Sequence, residues 1–221
     1  MENNFNFIAM QNSNNNYTVI IANGEFPTHK YANFCIKDAS YIICLDGALE
    51  AALNNNIKPN IIIGDGDSIS DRLKEQYSHI FLLNRDQDSN DLTKAVNYCI
   101  QKGLREIKIV AATGKREDHT LGNISLLLEY MKDVEVEMIT DYGIFTPITS
   151  TTEFESKTGQ QVSIFNIDNS PITSHNLKFP LYNLVLDNLW KGTLNESLGE
   201  SFTVKTKGKT IVYRTFEVKT K

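Results

Sequence analysis

The sequence contains no apolar run long enough to cross a membrane and no excess of basic residues. A membrane-spanning helix needs about 20 consecutive apolar residues, and no segment of the 221-residue chain approaches that length. The first residues, Met1 to Asn4, also lack the basic start and the apolar stretch of a secretory signal. The net charge of −5 argues against a nucleic-acid binder, which usually presents a basic face. We therefore expect a cytoplasmic protein that binds neither a membrane nor a nucleic acid.

Cysteine is scarce, and several common sequence motifs are missing. The three cysteines, Cys35, Cys44 and Cys99, are odd in number, far apart and set among apolar residues. This pattern favours buried free thiols in a reducing compartment over disulfides or a zinc site. The sequence has no Walker A loop, no Gly-x-Gly-x-x-Gly fingerprint and no nucleophilic serine elbow. These absences argue against P-loop kinases, Rossmann dehydrogenases and α/β-hydrolases.

The first two thirds of the chain alternate apolar runs with segments of helical spacing. Helical spacing is found around residues 34–39, 48–53, 92–100 and 121–128. Strands that alternate with helices pair in parallel, because a helix is the usual crossover between parallel neighbours. Most of the runs lack polar alternation, which is typical of a sheet covered on both faces. The predicted strands are Tyr17–Ala22, Tyr41–Leu45, Asn60–Ile63, Ile80–Leu83, Ile107–Ala111 and Val134–Ile139.

The pattern changes after about Tyr142. Apolar and polar residues tend to alternate at Val162–Ile167, Ser201–Lys205 and Thr210–Val218, with a turn at residues 207–209. This alternation predicts antiparallel strands with one buried face. We therefore predict two domains, an α/β domain at residues 1–142 and a smaller antiparallel β domain at residues 143–221.

Acidic residues follow the predicted strands at the points where the strands end. The carboxyl ends of parallel strands share one edge of a sheet, where ligands bind in open α/β folds. Side chains from four different loops are therefore expected to converge on one crevice. The four groups, in chain order, are Asp46; Asp65 and Asp67; Asp86, Asp88 and Asp91; and Gly114, Arg116 and Asp118.

Such a cluster of carboxylates points to a divalent cation. Two unit charges about 4 Å apart repel by roughly 4 kcal/mol at an intermediate effective dielectric. Mg²⁺ removes this repulsion, and it prefers a few carboxylates together with phosphate oxygens and water. Lys94 and Arg116 add positive charge suited to phosphate. These residues predict a Mg²⁺-dependent enzyme that acts on a nucleotide or a phosphoester.

Simpler roles are open for several of these residues. Asp88 and Asp91 precede a predicted helix, so either could be its N-cap or interact with its dipole. Asp46 and Asp65 could be ordinary loop residues beside glycine. His119 could be a cap or a packing residue. Acidic groups after three successive strands, and an Arg–Asp pair after the next, favour a shared site over four separate coincidences.

The same loops resemble those of the thiamine pyrophosphokinase (thiamin diphosphokinase) family. Two segments of the C-terminal region, residues 177–181 and 192–196, resemble the family as well, so the resemblance covers roughly residues 40 to 215. The order and spacing of the blocks carry it, because no single block is specific. The four central blocks are residues 46–50 (DGALE, for the family's DGGAN), 63–69 (IGDGDSI, for IGDFDSI), 86–94 (DQDSNDLTK, for DQDxTDFTK) and 114–123 (GKREDHTLGN, for GGRxDHxLxN).

The resemblance implies a fold, an activity and a set of residues. The fold would be a Rossmann-like α/β/α domain that binds ATP and Mg²⁺, followed by a β-sandwich domain, in a homodimer with active sites at the subunit interface. The thiamine hydroxyl would attack the β-phosphorus of ATP, and AMP would leave. Asp65, Asp67 and Asp88 would bind Mg²⁺, with Asp91 behind them and Asp46 near thiamine or the metal. The implied ATP-binding residues are Lys94, Gly114, Arg116, Asp118 and His119.

Two questions about the substrate follow from the resemblance. The segment from Thr193 to Asn195 would approach thiamine from the partner subunit, and we hypothesise that Trp190 stacks on the thiamine pyrimidine; the alternative is a core tryptophan of the β domain. The chain departs from the family pattern at several positions, among them Glu50 and Leu194. Two other functions are therefore considered, pyrophosphoryl transfer to another small alcohol and a non-catalytic thiamine or nucleotide sensor.

Overall fold

The structure, a computed structural model of the chain, describes residues 16–86 and 88–218. These residues form two compact units, residues 16–141 and residues 142–218. The predicted fold, a parallel α/β part followed by a smaller antiparallel β part, is confirmed. Within the described ranges, no helix combines the length and the apolar character that crossing a bilayer requires.

The α/β unit is built around a parallel sheet with the strand order β6-β5-β1-β2-β3-β4. The chain adds strands outward from β1 in one direction as far as β4, and β5 and β6 then follow on the other side of β1. The point where the order reverses therefore lies between β1 and β5. The elements of this unit are β1 (Thr18–Ile21), α1 (Lys30–Asp38), β2 (Tyr41–Leu45), α2 (Leu49–Asn54), β3 (Ile61–Gly64), α3 (Asp71–Gln76), β4 (Phe81–Leu83), α4 (Asp91–Lys102), β5 (Glu106–Val110), α5 (Glu117–Tyr130) and β6 (Glu135–Ile139).

All six strands predicted in the α/β unit are found within two residues of their expected bounds. The expectation of a sheet covered on both faces is right for the central strands and wrong for β4. In β4, Leu82 and Leu83 are 41% and 48% exposed, because this short strand is at the sheet edge and, among the described residues, pairs with β3 alone. The sequence analysis missed α3, which has a single buried apolar residue, Leu73, and hence no helical periodicity.

Helix α4 shows how local sequence signals position the residues of the site. The side chain of Asn90 caps the helix by accepting a hydrogen bond from the Thr93 N–H at 2.8 Å. Gly103 ends the helix in the left-handed conformation, with φ of 73°, which costs little for a residue without Cβ. The apolar face of α4 is buried. The helix therefore begins at the carboxyl edge of the sheet and holds Asp91 and Lys94 in its first turn.

The β unit contains two antiparallel sheets, with the strand orders β11-β9-β13-β7 and β10-β12-β8. Side chains from both sheets form one hydrophobic core, in which the Phe154 and Phe202 rings stack with centroids 5.2 Å apart. The three predicted strands correspond to β9, β12 and β13, and the other four strands, β7, β8, β10 and β11, were missed. The strands are β7 (Gly143–Ile148), β8 (Thr152–Glu155), β9 (Gln160–Asn166), β10 (Thr173–His175), β11 (Asn195–Glu196), β12 (Ser201–Lys205) and β13 (Thr210–Val218).

The three cysteines are free and buried, as the sequence predicted. Burial raises the pKa of the Cys99 thiol to about 12 and raises the pKa of the Cys44 thiol as well. Because the thiolate is the reactive form of cysteine, these thiols are packing residues with low reactivity.

Candidate active site

A cleft of about 600 Å³ opens at the carboxyl edge of the α/β sheet, next to the point where the strand order reverses. It lies where ligands bind in open α/β folds. The loops after β1 and β5, which flank the reversal, supply much of its wall. We call it the switch-point cleft. Its lining includes Asn23, Gly24, Ser68, Asn90, Asp91, Thr113, Lys115, Arg116, Asp118, His119 and Asn123.

Asp46 is buried directly after β2 and links two of the predicted loops. One carboxylate oxygen accepts from the Gly47 N–H at 2.6 Å, and the other accepts from the Gly66 N–H at 2.9 Å. Burial raises the pKa of this carboxyl group, and the negative charges of Asp91 and Asp65 raise it further. Asp46 therefore ties the loop after β3 to the end of β2, close to Asp91. The expectation that all four loops share one crevice is only partly met, because Asp91, Arg116 and Asp118 line the switch-point cleft whereas Asp65 and Asp67 line a second cavity.

The loop after β3 carries Asp65 and Asp67. Asp65 accepts a hydrogen bond from the Asp67 N–H at 3.0 Å, which fixes the turn between them. Both residues line a second cavity, of about 690 Å³, together with Lys74 and Arg85. Gly66 has φ of 83°, a left-handed conformation that favours glycine. This conformation directs its N–H toward Asp46 while the two flanking carboxylates line the cavity.

The loop after β4 and the first turn of α4 carry the third acidic group. Asp86 accepts from the Asp88 N–H at 2.9 Å and from the Ser89 hydroxyl at 2.6 Å, and these bonds lower the pKa of Asp86. The possibility that Asp88 or Asp91 is the N-cap of α4 is wrong, because Asn90 is the cap.

Lys94 is a buried cation in this otherwise acidic region. Only 5% of the residue is exposed, and its ammonium lies 2.9 Å from Oδ1 of Asp91. A buried lysine needs a nearby negative charge, because an uncompensated ammonium is costly to remove from water. Lys94 is therefore the counter-ion of Asp91, and its charge also lowers the pKa of Asp86.

The loop after β5 leads into α5 and places three of the predicted residues on the wall of the cleft. Arg116 and Asp118 form a two-pronged ion pair, with nitrogen–oxygen distances of 3.0 and 2.5 Å. Arg116 lowers the pKa of Asp118 to about 2 through these bonds. His119 is exposed in the cleft, and its backbone N–H donates to the Asp118 carboxylate at 2.9 Å. Gly114 has φ of 92°, and a Cβ there would overlap the Glu25 side chain, so it shapes the loop.

Of the four residues predicted to bind thiamine, Asp46 belongs to the α/β unit and the other three belong to the β unit. Trp190 is 68% exposed in a 3₁₀ turn at Leu189–Gly192, so the alternative of a core tryptophan is wrong. Thr193 donates its hydroxyl to the Trp190 carbonyl at 2.7 Å and stabilises that turn. Asn195 is buried, and its amide accepts from the Phe179 N–H at 3.0 Å and donates to the Phe179 carbonyl at 2.7 Å. Asn195 therefore holds the chain segment around Phe179 in place.

Some residues of the cleft were missed in the sequence analysis. Asn23 and Gly24 follow β1 directly, so the strand-end rule that identified Asp46 applies to them as well. They were missed because only charged residues after the strands were considered as candidates, and neither Asn23 nor Gly24 carries a charge. Asn123 lies nearly two turns into α5, where it donates to the Ala112 carbonyl at 2.9 Å and braces the loop after β5.

The arrangement of carboxylates fits a metal ion that is shared with a substrate. Among the described residues, no group of three or more His, Cys, Asp or Glu side chains is placed to enclose a metal ion. Mg²⁺ rarely uses such a cage, because it keeps several waters and takes one or two carboxylates together with substrate phosphates. The donors near Asp46 are hard carboxylate oxygens, and the raised pKa of Asp46 comes first from its burial and then from the negative charges of Asp91 and Asp65. This donor set suits Mg²⁺ when a phosphate completes the coordination.

Two family models match the chain. Residues 32–139 match the catalytic domain of thiamin pyrophosphokinase, and residues 143–213 match its substrate-binding domain. Together the two models account for most of the chain.

Individual relatives agree with the family models. Thiamine pyrophosphokinase 1 of Oryza sativa subsp. japonica is 29% identical over 154 residues, which are 58% of this chain and 58% of that protein. The chain thus spans less than two thirds of the length of this curated relative. Thiamine pyrophosphokinase of Bacillus subtilis (strain 168) is 30% identical over 102 residues, or 44% of this chain and 48% of that protein.

The fold is also found in a solved structure. The crystal structure of thiamine pyrophosphokinase from Bacillus subtilis has a TM-score of 0.76 with this chain at 23% identity. The match covers 91% of this chain and 100% of that one. At this level of identity the likeness establishes the fold.

Proposed function

The chain belongs to the thiamin pyrophosphokinase family, and from that premise we propose that it transfers a pyrophosphoryl group from ATP to thiamine. The oxygen of the thiamine hydroxyl attacks the β-phosphorus of ATP, and the hydroxyl proton is released to the solvent. The bond between that phosphorus and the oxygen that bridges it to the α-phosphate then breaks, and AMP leaves. The observation that carries the proposal is the placement of Asp46, Asp65 and Asp91 at the carboxyl edge of the sheet. There Asp46 accepts from the N–H of Gly66, next to Asp65, at 2.9 Å, and the buried Lys94 pairs with Asp91 at 2.9 Å.

We assign the nucleotide to the switch-point cleft. Arg116 lines that cleft and presents a planar, permanently charged group suited to phosphate. Asp118 holds the guanidinium in one orientation before the nucleotide arrives, at 2.5 Å. Pre-orientation of this kind lowers the entropy cost of binding. Gly114 and His119 complete this part of the proposed ATP site.

We assign Mg²⁺ to the acidic groups after β3 and β4. Asp65, Asp67 and Asp88 would hold the ion together with phosphate oxygens, and the bound ion neutralises charge on the phosphates. Asp46 fixes the position of the Asp65–Asp67 loop through the Gly66 N–H. Lys94 holds the Asp91 carboxylate in place through an ion pair at 2.9 Å. Both contributions hold the acidic loops in one geometry, which phosphoryl transfer requires.

Thiamine is assigned to the β unit of a partner subunit, and the protein is proposed to act as a homodimer in the cytoplasm. Exposed apolar side chains are concentrated in residues 179–198, and such a concentration marks an interaction surface. Trp190, at 68% exposure, offers an aromatic face to the cationic substrate. Thr193 and Asn195 hold the backbone around it. Buried free cysteines are in keeping with a reducing compartment.

One product analysis tests the proposed activity. The purified protein is incubated with ATP, Mg²⁺ and thiamine, and the products are separated and identified. AMP together with thiamine pyrophosphate is the expected result. Release of ADP would mean single phosphoryl transfer and would reject the proposal. Thiamine binding without turnover would favour the sensor, and turnover with a different alcohol alone would favour the other enzyme; the comparisons favour neither alternative.

A further inference from the structure

The basic side chains around the proposed ATP site differ in the partners they already have. Arg116 is bound to the Asp118 carboxylate at 2.5 Å. Lys94 is buried against the Asp91 carboxylate at 2.9 Å. A phosphate that binds either cation must compete with a carboxylate that already neutralises it. The charges of the two cations predicted to bind phosphate are therefore partly neutralised before any nucleotide arrives.

Lys115 has a different kind of partner. It is exposed on the wall of the switch-point cleft, and its ammonium donates to the side-chain oxygen of Asn23 at 3.0 Å. That partner is a neutral amide. Within the described part of the chain, no carboxylate lies at ion-pair distance from Lys115. Because a charged pair with phosphate is stronger than a bond to a neutral amide, exchange of Asn23 for a phosphate oxygen is favourable.

Asn23 fixes the position of the Lys115 ammonium relative to the acidic loops. The Asn23 amide packs so closely on Gly47 that a Cβ at that glycine would overlap it. Gly47 is the residue after Asp46, whose carboxylate is tied to the loop after β3. Glu25, in the same loop as Asn23, packs against Gly114 and forms no ion pair with Lys115. The Lys115 ammonium is thus held at the cleft rim, between the loop after β5 and the acidic loops.

We propose that Lys115 binds a phosphate group of the nucleotide, and that Asn23 is a positioning residue that holds its ammonium at the cleft rim beforehand. This inference rests on the proposed function, because it concerns the same nucleotide. The ligand chemistry is a polyphosphate tail, and the nucleoside makes no contribution at this position. Free polyphosphate and nucleotide share that chemistry, so a binding experiment must include both.

The test is isothermal titration calorimetry of the full chain with three probes, ATP, tripolyphosphate and adenosine, each with Mg²⁺. Lys115→Met is compared with Lys115→Arg and with Lys58→Met. Lys58 is an exposed lysine just before β3, at the amino edge of the sheet, so its substitution makes the same charge change away from the cleft. Unfolding midpoints of all variants are measured in parallel to exclude a loss of folded protein.

The expected result is a loss of about tenfold or more in affinity for ATP and tripolyphosphate in Lys115→Met, the size typical of a lost charge-assisted hydrogen bond. Lys115→Arg should keep most of the affinity, Lys58→Met should match the wild type, and binding of adenosine should be the same in every variant. The loss should shrink as salt is added, because screening weakens an exposed ionic contact.

Each other outcome has a definite meaning. If Lys115→Met binds ATP as tightly as the wild type does, the inference is overturned and the proposed function stands. If the wild type binds neither ATP nor tripolyphosphate, both are overturned. For Asn23, the readout is a double-mutant cycle: Asn23→Ala should weaken ATP binding in the wild type and have no further effect on Lys115→Met. Equal effects in both backgrounds would show that Asn23 does not act through Lys115.

Discussion

The two units of the chain expose different kinds of surface. In the α/β unit, polar and charged groups concentrate at the carboxyl edge, and its exposed large apolar residues are Leu82, Leu83 and Leu121. In the β unit, eight large apolar side chains are exposed within residues 179–198 alone. The first surface has the groups for phosphate chemistry within one unit. The second is dominated by apolar side chains and makes physical sense as a surface that another molecule covers.

The difference extends to how each surface is held in place. The acidic loops of the α/β unit are tied by hydrogen bonds from backbone N–H groups, such as those of Gly47 and Gly66 to Asp46. The exposed segment of the β unit has little regular structure and depends on a few side-chain anchors, chief among them Asn195. Substitutions in the first unit should therefore affect the chemistry, and substitutions in the second should affect substrate binding and subunit association.

The largest effect is expected for the acidic loops. Asp65→Asn and Asp88→Asn should each lower kcat for thiamine pyrophosphate formation by about a hundredfold or more, because each removes a charge that the metal and phosphates need. The matched control is Asp133→Asn, an exposed aspartate just before β6 at the amino edge of the sheet. Near-normal turnover in both site variants, measured in folded protein, would place the metal elsewhere.

A subunit-mixing experiment tests whether the two surfaces cooperate across a dimer. Asp65→Asn subunits are mixed with Trp190→Ala subunits and assayed at low thiamine, where Asp65→Asn should be nearly inactive and Trp190→Ala should keep at most about a third of wild-type activity. Random pairing gives half mixed dimers, each with one site that carries neither change, so about a quarter of wild-type activity should return. A mixture of Asp65→Asn and Asp88→Asn should recover nothing. Activity equal to the sum of the Trp190→Ala and Asp65→Asn parents would mean that each site uses a single subunit.

The packing of Asp46 gives a stability prediction for the α/β unit. A Cβ at Gly64 would overlap the Asp46 carboxyl group, so Gly64→Ala must displace it. We expect a loss of about 1–3 kcal/mol in the free energy of unfolding, as for an overpacked core. In Gly122→Ala, a Cβ on α5 meets nothing within 4 Å, and the helix should gain up to about 1 kcal/mol. Chemical denaturation measures both, and equal effects would contradict the role assigned to Gly64.

The sequence predicted the α/β unit better than the β unit for a physical reason. Buried parallel strands such as Tyr41–Leu45 are continuous apolar runs, and one rule about strand ends then places Asp46, Asp65 and Asp91 at the same edge. The partners of individual side chains were beyond that rule. Nothing in the order of residues indicates that Lys94 is buried against Asp91. Asp88, Asn90 and Asp91 are all of residue types that cap helices, so the sequence did not single out Asn90 as the cap of α4.

The β unit resisted prediction because much of it is irregular. Between β9 and β12 the segment is held by side-chain hydrogen bonds to the backbone, such as Asn195 to Phe179, which leave no periodic pattern. Trp190 illustrates the same limit. A lone tryptophan in a β domain is compatible with core or surface, and only the tertiary structure places it at 68% exposure.

Two substitutions in the β unit should distinguish a residue that stabilises the fold from a residue that contacts thiamine. Asn195→Ala leaves the Phe179 N–H and carbonyl without their partners, so the free energy of unfolding should fall by about 1–3 kcal/mol. Trp190→Leu should leave stability within about 0.5 kcal/mol and raise the thiamine KM about threefold or more through loss of the cation–π contact. Thermal unfolding and steady-state kinetics measure the two effects. An unchanged KM in folded Trp190→Leu would disprove stacking.

The smallest expected effect is a change in a carboxyl pKa, compared between one exposed ion pair in each unit. Arg116 lowers the pKa of Asp118 to about 2 from an ordinary value of 3.8, and Lys191, 2.6 Å from Asp187, lowers the pKa of that residue too. Because each folded-state pKa lies below the unfolded one, the stabilisation by Asp118 is complete above about pH 4 and is lost as the pH falls toward 2.

ATP that binds Arg116 should compete with Asp118 and raise its pKa, while the pKa of Asp187 stays unchanged. Carboxyl ¹³C NMR titration with and without ATP measures both, and Arg116→Gln supplies the reference for an unpaired Asp118. If ATP leaves Asp118 unmoved while Arg116→Gln shifts it, the nucleotide does not bind Arg116, and the charge that receives the phosphate must come from elsewhere on the cleft wall.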